Sequence, residues 1–276
     1  MSTKEYFLPR SAGEAVQLLA EHGPSLLILA GGTIAMPLIN EGVSFPERVM
    51  GLRHAGLSGI GQDGGTFTIG ACTTISQVLA WDAIPTLQQA AHNVAGWSIR
   101  NMATVGGNLF APPPAGDLAV MLLALDADVK LANSTSERIV PLKDFYTGFM
   151  ITALEPGELV TEIRVRKPAG ETVYTKFGRK KANTPSVVTV AAHLMLDGDT
   201  VKDARIALGA VGPHPFRSTK AESALVGSAL GEETIARAAT LAAEECEPIA
   251  DAIASEWYRR KMVSVILSRA LAQLLN

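Results

Sequence analysis

Two glycine pairs are the residues of this sequence that best suit the binding of a charged ligand. One pair lies in residues 30–34 (Ala-Gly-Gly-Thr-Ile), directly after a short apolar run, and the other in residues 104–108 (Thr-Val-Gly-Gly-Asn). Glycine has no Cβ and tolerates positive φ, so backbone N–H groups in such loops can approach an anion closely. Consecutive N–H groups between a strand and a helix bind phosphates. Two such loops on separate segments could hold the two phosphates of a pyrophosphate.

Each glycine pair taken alone also suits an ordinary turn. A threonine next to each pair adds a hydroxyl donor and favours the anion-binding interpretation. The chain contains neither G-x-G-x-x-G nor G-x-x-x-x-G-K-[ST], so the two commonest nucleotide-binding motifs are excluded. The local residues therefore indicate phosphate binding without identifying the ligand.

Short helices and strands must carry these loops. A capping box at residues 11–14 begins one helix, and the apolar run 25–30 is typical of a buried strand before the first glycine pair. We expect Asp117 to be the N-cap of the apolar helix 118–125. We expect further strands at 48–51, 66–70, 128–131 and 138–141, and further helices at 85–94 and 143–149.

The character of the sequence changes at Lys167-Pro-Ala-Gly170, which we interpret as a linker. Asp197-Gly198 between two β-type runs is a strong hairpin signal. We expect strands at 173–178, 187–196 and 201–209, and helices at 218–227, 232–246 and 255–275. The sequence therefore predicts a nucleotide-type α/β domain to about residue 167, and then a smaller domain of antiparallel sheet and helices.

Composition and charge exclude several classes of protein. The net charge is −3, and the densest basic stretch is Arg179-Lys-Lys181, which argues against a nucleic-acid partner. No apolar run reaches the roughly 18 residues that span a bilayer, and the first residues lack a signal peptide's pattern, so we expect a cytoplasmic protein. The two cysteines, Cys72 and Cys246, are too few for a [2Fe–2S] cluster or a disulfide framework. We interpret both as packing residues and expect no metal site.

Three motifs together are similar to one known family. They are residues 30–33, residues 99–108 (Ile-Arg-Asn-Met-Ala-Thr-Val-Gly-Gly-Asn) and residues 114–118 (Pro-Ala-Gly-Asp-Leu). The sequence resembles the FAD-binding medium subunit of the molybdenum hydroxylases, the xanthine dehydrogenase and carbon monoxide dehydrogenase family. The resemblance extends over nearly the whole chain, including residues 68–71, 156–159, 204–210, 257–260 and 269–271.

The resemblance implies an α+β fold with a bound cofactor. It implies a vanillyl-alcohol-oxidase-type (PCMH-type) FAD-binding domain of two α/β subdomains, residues 1–55 and 56–167, and a C-terminal domain of residues 171–276. It implies non-covalent FAD, with residues 29–35 and 104–108 at its pyrophosphate and ribitol. The implied cofactor-binding residues are Leu29, Ala30, Gly31, Gly32, Thr33, Ile34, Ala35, Thr104, Gly106, Gly107, Asn108, Asp117, Val160 and Lys176.

Several of these residues also suit a purely structural role. Asn108 suits a turn, Lys176 suits a solvated strand, and Arg100 suits a surface ion pair. Trp257 and Tyr258 suit helix packing better than flavin stacking.

The sequence also departs from the family's pattern. Apolar Ile34, Ala111 and Pro113 stand where relatives commonly carry acidic or polar residues. Residues 180–184 read Lys-Lys-Ala-Asn-Thr, with Asn183 in a segment that often reads Arg-Arg-x-x-Asp in the family. These departures concern the polar contacts around the flavin ring.

The resemblance implies an electron-transfer role. Substrate is oxidised at a molybdopterin cofactor on a large subunit, and electrons pass through [2Fe–2S] clusters on a small subunit to FAD. They leave for NAD, a quinone, oxygen or another acceptor, and the heterotrimer is usually doubled. We therefore assign no catalytic acid, base or nucleophile.

Two other functions stay open at this stage. One is a self-sufficient FAD-dependent reductase or oxidase of the same superfamily, although neither glycine loop holds a histidine or cysteine to attach flavin. The other is a flavin-less nucleotide-binding assembly module.

Overall fold

A small parallel sheet carries the first glycine loop. The computed structural model describes residues 3–113 and 115–275. The sheet has the order β1-β3-β2, with β1 and β2 both parallel to β3. Its elements are β1 (Glu5–Phe7), α1 (Ala12–His22), β2 (Leu26–Leu29), α2 (Ala35–Asn40) and β3 (Arg48–Gly51). The predicted strand before the glycine pair is confirmed as β2, so the pair lies in the turn that leads into α2.

The N-cap of α1 is confirmed, but its capping box is incomplete. The Ser11 Oγ accepts a hydrogen bond of 3.1 Å from the Glu14 N–H. The Glu14 carboxylate accepts from the Arg10 N–H at 2.7 Å, one residue before the cap. The cap therefore closes with a different backbone partner from the one that the motif predicts.

An antiparallel five-stranded sheet forms the second layer, in the order β4-β5-β10-β6-β7. Its strands are β4 (Ile60–Asp63), β5 (Thr66–Gly70), β6 (Asp128–Ala132), β7 (Glu137–Pro141) and β10 (Leu159–Arg166). The central strand β10 was missed, although buried Ile163 and Val165 alternate with more exposed polar residues. That alternation is the signal that could have found it.

Six short helices lie in the chain between strands of this sheet. They are α3 (Ile75–Leu79), α4 (Pro85–Asn93), α5 (Trp97–Arg100), α6 (Val105–Leu109), α7 (Asp117–Ala124) and α8 (Leu142–Phe145). The predicted helix over 143–149 is wrong, because α8 ends at Phe145. The chain continues as a hairpin of β8 (Tyr146–Gly148) and β9 (Ile151–Thr152), with Met150 at φ 57° between the strands. A left-handed residue suits a tight turn and not a helix.

The helix α7 is buried along its whole length and shares one hydrophobic core with residues of the five-stranded sheet and of the C-terminal sheet. The expectation that Asp117 is its N-cap is wrong. The N-cap is Gly116 at φ 88°, and Asp117 is the first helical residue, with its carboxylate turned to partners on other elements. Pro114, part of a motif given above, lies outside the described residues, as do residues 1, 2 and 276 of the expected domain ranges.

The C-terminal sheet and helices match the elements expected from the sequence. The strands, in the antiparallel order β11-β12-β13-β14, are β11 (Glu171–Gly178), β12 (Ser186–Asp197), β13 (Thr200–Gly209) and β14 (Phe216–Arg217). The helices are α9 (Thr219–Leu225), α10 (Glu232–Glu245) and α11 (Glu256–Ala272). The predicted hairpin at Asp197-Gly198 is confirmed, since Asp197 pairs with Thr200 and Gly198 adopts φ 58°. In the described part of the chain, no helix has the length and apolarity to cross a membrane.

A buried arginine joins α11 to the C-terminal sheet. Arg259 is 1% exposed and forms an ion pair with Asp251 at 2.8 Å. The same guanidinium donates to three backbone carbonyls at 2.8–3.0 Å, those of Ser186, Val187 and Ala210. Because buried carbonyls need donors, this one side chain satisfies the backbone at the start of β12 and just after β13.

We expect Arg259→Met to lower the free energy of unfolding by about 3 kcal/mol, because buried carbonyls and a carboxylate lose their donors. Urea denaturation followed by circular dichroism measures this loss. The control is Arg260→Met, since the Arg260 guanidinium makes an exposed bond of 2.9 Å to the Ala243 carbonyl. Equal losses in the two variants would contradict the anchoring role.

Candidate functional site

The two glycine loops lie against each other, as the sequence suggested. A Cβ at Gly31 would overlap the carbonyl oxygen of Met102, two residues before the second loop. A Cβ at Gly106 would lie 2.8 Å from both the Cβ and the carbonyl oxygen of Ala71. The first residue of each pair must therefore be glycine because a neighbouring chain segment leaves no room for a Cβ. The sequence alone did not predict this role.

The first loop presents free backbone donors. Gly32 adopts φ 71°, which favours glycine, and the chain turns there from β2 towards α2. Within residues 3–113 and 115–275, no loop or cap hydrogen bond has the N–H of Gly32, Thr33, Ile34 or Ala35 as its donor. Such a run of N–H groups favours an anion.

The second loop is the first turn of α6. Thr104 is its N-cap, and its Oγ1 accepts from the Gly107 N–H at 3.1 Å. The side-chain oxygen Oδ1 of Asn108 accepts a hydrogen bond of 3.2 Å from the Ala119 N–H. Asn108 thus connects the loop to α7 instead of being a simple turn residue.

A cavity of about 580 Å³ opens between these loops. Of the predicted cofactor-binding residues, all but Asp117 and Lys176 line it. They are Leu29, Ala30, Gly31, Gly32, Thr33, Ile34, Ala35, Thr104, Gly106, Gly107, Asn108 and Val160. Of the three apolar departures from the family pattern, Ile34 and Ala111 line the cavity and make those walls apolar, whereas Pro113 lines a smaller cavity next to it.

Sequence reasoning missed several cavity residues. Val94 and Ala95 line it from the end of α4, where no local motif marks them. Glu158 also lines it, and the Arg138 guanidinium donates to both of its carboxylate oxygens at 2.6 and 2.7 Å. These hydrogen bonds lower the pKa of Glu158. This carboxylate is therefore ionised and paired, which does not suit a general acid.

Asp117 and Lys176 bind each other behind the cavity wall. The Lys176 Nζ lies 2.7 Å from the Asp117 Oδ2, and both side chains are less than a tenth exposed. The Asp117 Oδ1 accepts from the Ser186 and Thr189 hydroxyls at 2.6 and 3.0 Å. The alternative that Lys176 is a solvated strand lysine is wrong. This network joins α7 to β11 and β12, and neither side chain lines the cavity.

A second cleft, of about 700 Å³, adjoins the cavity, and Ala95 lines both. Five basic side chains line this cleft, and the charge of one of them, Lys176, is already paired with Asp117. The other four are Arg100, Arg179, Lys180 and Lys181, and His92 also lines the cleft. Asn183, which belongs to the segment that departs from the family pattern, lines it as well. The cleft therefore presents positive charge beside a mostly apolar cavity.

The two cysteines differ in location but not in ionisation. Cys72 lines the cavity, and burial raises the pKa of its thiol to about 11. Cys246 lies in the core of the C-terminal domain, where burial raises its pKa to about 12. Both are protonated at neutral pH, in agreement with the interpretation of both as packing residues.

The fold and the cavity together define a PCMH-type FAD-binding domain followed by a C-terminal domain. The free N–H groups of residues 32–35, the glycine cradle and the apolar walls fit an extended dinucleotide with a central pyrophosphate. Residues 2–168 match the family model "FAD binding domain in molybdopterin dehydrogenase", and residues 172–274 match "CO dehydrogenase flavoprotein C-terminal domain".

The chain is also similar over nearly its full length to proteins of known name. The chain is 34% identical over 274 residues to the carbon monoxide dehydrogenase medium chain of Hydrogenophaga pseudoflava, covering 97% of this chain and 95% of that protein. It is 27% identical over 278 residues to the xanthine dehydrogenase FAD-binding subunit of Escherichia coli O157:H7, covering 97% and 94%. A chain of Cu,Mo-CO dehydrogenase superposes with a TM-score of 0.92 at 32% identity, covering 99% and 98%. The chain belongs to the family of FAD-binding medium subunits of molybdenum hydroxylases, which are oxidoreductases.

We expect Gly31→Ala to lower the free energy of unfolding by about 2 kcal/mol, because the new Cβ would force the two loops apart. The variant should also lose FAD on gel filtration, which the visible flavin absorbance of the protein peak measures. The control is Gly13→Ala in α1, where a Cβ meets only the Ser11 Oγ at 3.8 Å. That variant should keep FAD and gain slightly in stability. Retention of FAD by Gly31→Ala would contradict the close-packing role.

Proposed function

We propose that this chain is the FAD-carrying electron-transfer subunit of a heterotrimeric molybdenum hydroxylase, which is doubled into a dimer of heterotrimers. The observation that carries this proposal is the cavity between the two glycine loops, in a chain of which 97% aligns with a carbon monoxide dehydrogenase medium chain. The partners are a small [2Fe–2S] subunit and a large molybdopterin-binding subunit. FAD, when bound, supplies the redox chemistry, receiving electrons from iron–sulfur clusters and passing them to an external acceptor.

This chain's own residues bind and enclose the cofactor. We propose that the N–H groups of residues 32–35 hold the pyrophosphate together with the hydroxyl of Thr104, since the N–H groups of residues 105–108 are already hydrogen-bonded within the chain. Val160 and Ile34 provide apolar wall and exclude water. Asp117 and Lys176, which the family resemblance implies as cofactor-binding residues, support the site through their mutual ion pair behind the cavity wall.

The division of labour between subunits follows from what this chain offers. Two buried, protonated cysteines in different cores cannot hold a [2Fe–2S] cluster. Glu158, a carboxylate in the cavity wall, is paired with Arg138 and is not available for proton transfer. We therefore propose that the chain transfers electrons and leaves the oxidation of the organic substrate to its partner. We also propose residues 1–55, 56–167 and 171–276 as its structural units.

The basic cleft is the place where we propose that the external acceptor approaches. It adjoins the cavity across Ala95, and its lysines and arginines attract anions. A negatively charged acceptor such as NAD therefore suits this cleft better than a neutral quinone.

We expect the purified chain to show flavin bands, to release FAD on denaturation, and to show no iron–sulfur absorbance. FAD should also protect Cys72, which lines the cavity, from alkylation at high pH, whereas Cys246 should react only after unfolding. Mass spectrometry of the labelled peptides, with and without FAD, measures this protection.

Three results would lead to a different function. A chain that stays colourless after incubation with FAD would support the flavin-less assembly module. Oxidation of an aldehyde or heterocycle by the chain alone, or rapid coupled oxidation of NADPH, would support the self-sufficient enzyme. Flavin reduction only in the presence of the iron–sulfur subunit and its electron donor supports the transfer role.

We expect the double variant Lys180→Glu/Lys181→Glu to raise KM for NAD several-fold in the assembled complex, because it reverses charge at the cleft. Steady-state kinetics at low ionic strength measure the change, with a neutral quinone as the comparison acceptor. The control is Lys202→Glu, whose exposed side chain pairs with Asp197 on the β12–β13 hairpin. If the double variant raised KM equally for NAD and for the quinone, the result would show that NAD does not bind in this cleft.

A further inference from the structure

Two cations bind successive backbone carbonyls where α4 ends. The Arg100 Nη1 lies 3.0, 3.2 and 3.1 Å from the carbonyl oxygens of His92, Val94 and Ala95. The Lys176 Nζ lies 3.0 Å from the carbonyl oxygen of Asn93, which lies between them. The carbonyls of residues 92–95 are therefore all satisfied by two side chains. Cations at this end of a helix also complement its dipole.

The segment that these cations hold has an unfavourable backbone conformation. Ala95 adopts φ 42°, in the left-handed region that residues with a Cβ disfavour. Such a conformation persists only where the surrounding structure fixes it. Arg100 provides two of the contacts that fix it, because it binds the carbonyl of Ala95 and that of the residue before it.

The same segment is a wall of the FAD cavity. Val94 and Ala95 line the cavity, and Ala95 separates it from the basic cleft, where Arg100 is reachable. Arg100 is the last residue of α5, and the chain then runs through Met102, which contacts Gly31, to the second glycine loop. One guanidinium thus connects the wall at residues 92–95 to the segment where the two loops meet.

We propose that Arg100 is a positioning residue for FAD, which fixes the left-handed conformation of Ala95 and thereby the shape of the cavity. The sequence expectation that Arg100 forms a surface ion pair is wrong for the described residues, because its partners there are carbonyls. All three carbonyls are bound by the single Nη1 of Arg100, whose two hydrogens they share, so the guanidinium acts here as one point of positive charge. The proposal rests on FAD binding by this family and adds a residue that does not contact the cofactor itself.

The experiment measures the Kd for FAD of the apo chain by quenching of flavin fluorescence. Arg100→Ala should raise Kd about tenfold or more, because charge-assisted bonds to the wall are lost. Arg100→Lys should give a smaller increase, and it keeps the test available if the alanine variant folds poorly. The control is Arg260→Ala, whose guanidinium also binds a carbonyl near a helix end, that of Ala243 at 2.9 Å, but outside the cavity. It should keep the parental Kd.

A second measurement separates positioning from general stability. Since Arg100 lines the cleft, millimolar methylguanidinium can occupy the space left in Arg100→Ala and should restore FAD affinity. Urea at the same concentration should not restore FAD affinity, because it carries no positive charge. Thermal unfolding of the apo proteins shows whether Arg100→Ala and Arg260→Ala lose similar stability.

Three results would overturn the proposal. They are a Kd for Arg100→Ala within twofold of the parental value, an equal loss of affinity in Arg260→Ala, and a loss in Arg100→Ala that methylguanidinium does not reverse. Failure of the parental chain to bind FAD would instead refute the proposed function, so the two failures are distinguishable.

Discussion

The contact between the backbones of the two glycine loops is the constraint on which the rest of the site depends. Gly31 lies against the carbonyl of Met102, and Gly106 lies against Ala71, so no side chain separates these segments. A Cβ at Gly31 would push the first loop away from the segment before the second loop, and a Cβ at Gly106 would push the second loop away from Ala71. The free N–H groups of residues 32–35 therefore face the same cavity as the Thr104 turn because two glycines allow it.

A buried charge network fixes the C-terminal domain against this site. Asp117, at the start of α7, binds Lys176, Ser186 and Thr189, which lie on two strands of the C-terminal sheet. A charge pair this far from water is stable only when all its partners are in place. The network therefore favours one relative position of the sheet and α7. Lys176 extends it to the Asn93 carbonyl, and so to the cavity wall.

Charge is divided between two neighbouring spaces. The cavity is mostly apolar beyond its backbone donors, and its acidic wall residue Glu158 is neutralised by Arg138. The adjoining cleft carries the lysines and arginines. A cofactor with a central pyrophosphate and flat ring systems suits the first space, and a diffusing anion suits the second. This separation agrees with a protein that binds one redox group tightly and exchanges electrons with another.

Local pattern in the sequence was sufficient for the strand before Gly31 and for the hairpin at Asp197-Gly198, whereas the set of residues that line the cavity came from the resemblance to a known family. These features depend on neighbours in the chain, on motif and on periodicity. Tertiary structure alone decided that Asp117 is not a helix cap, that Arg100 binds carbonyls and that Val94 lines the cavity. Their partners lie far away in sequence or depend on backbone conformation, and no local pattern specifies which distant group a buried charge will meet.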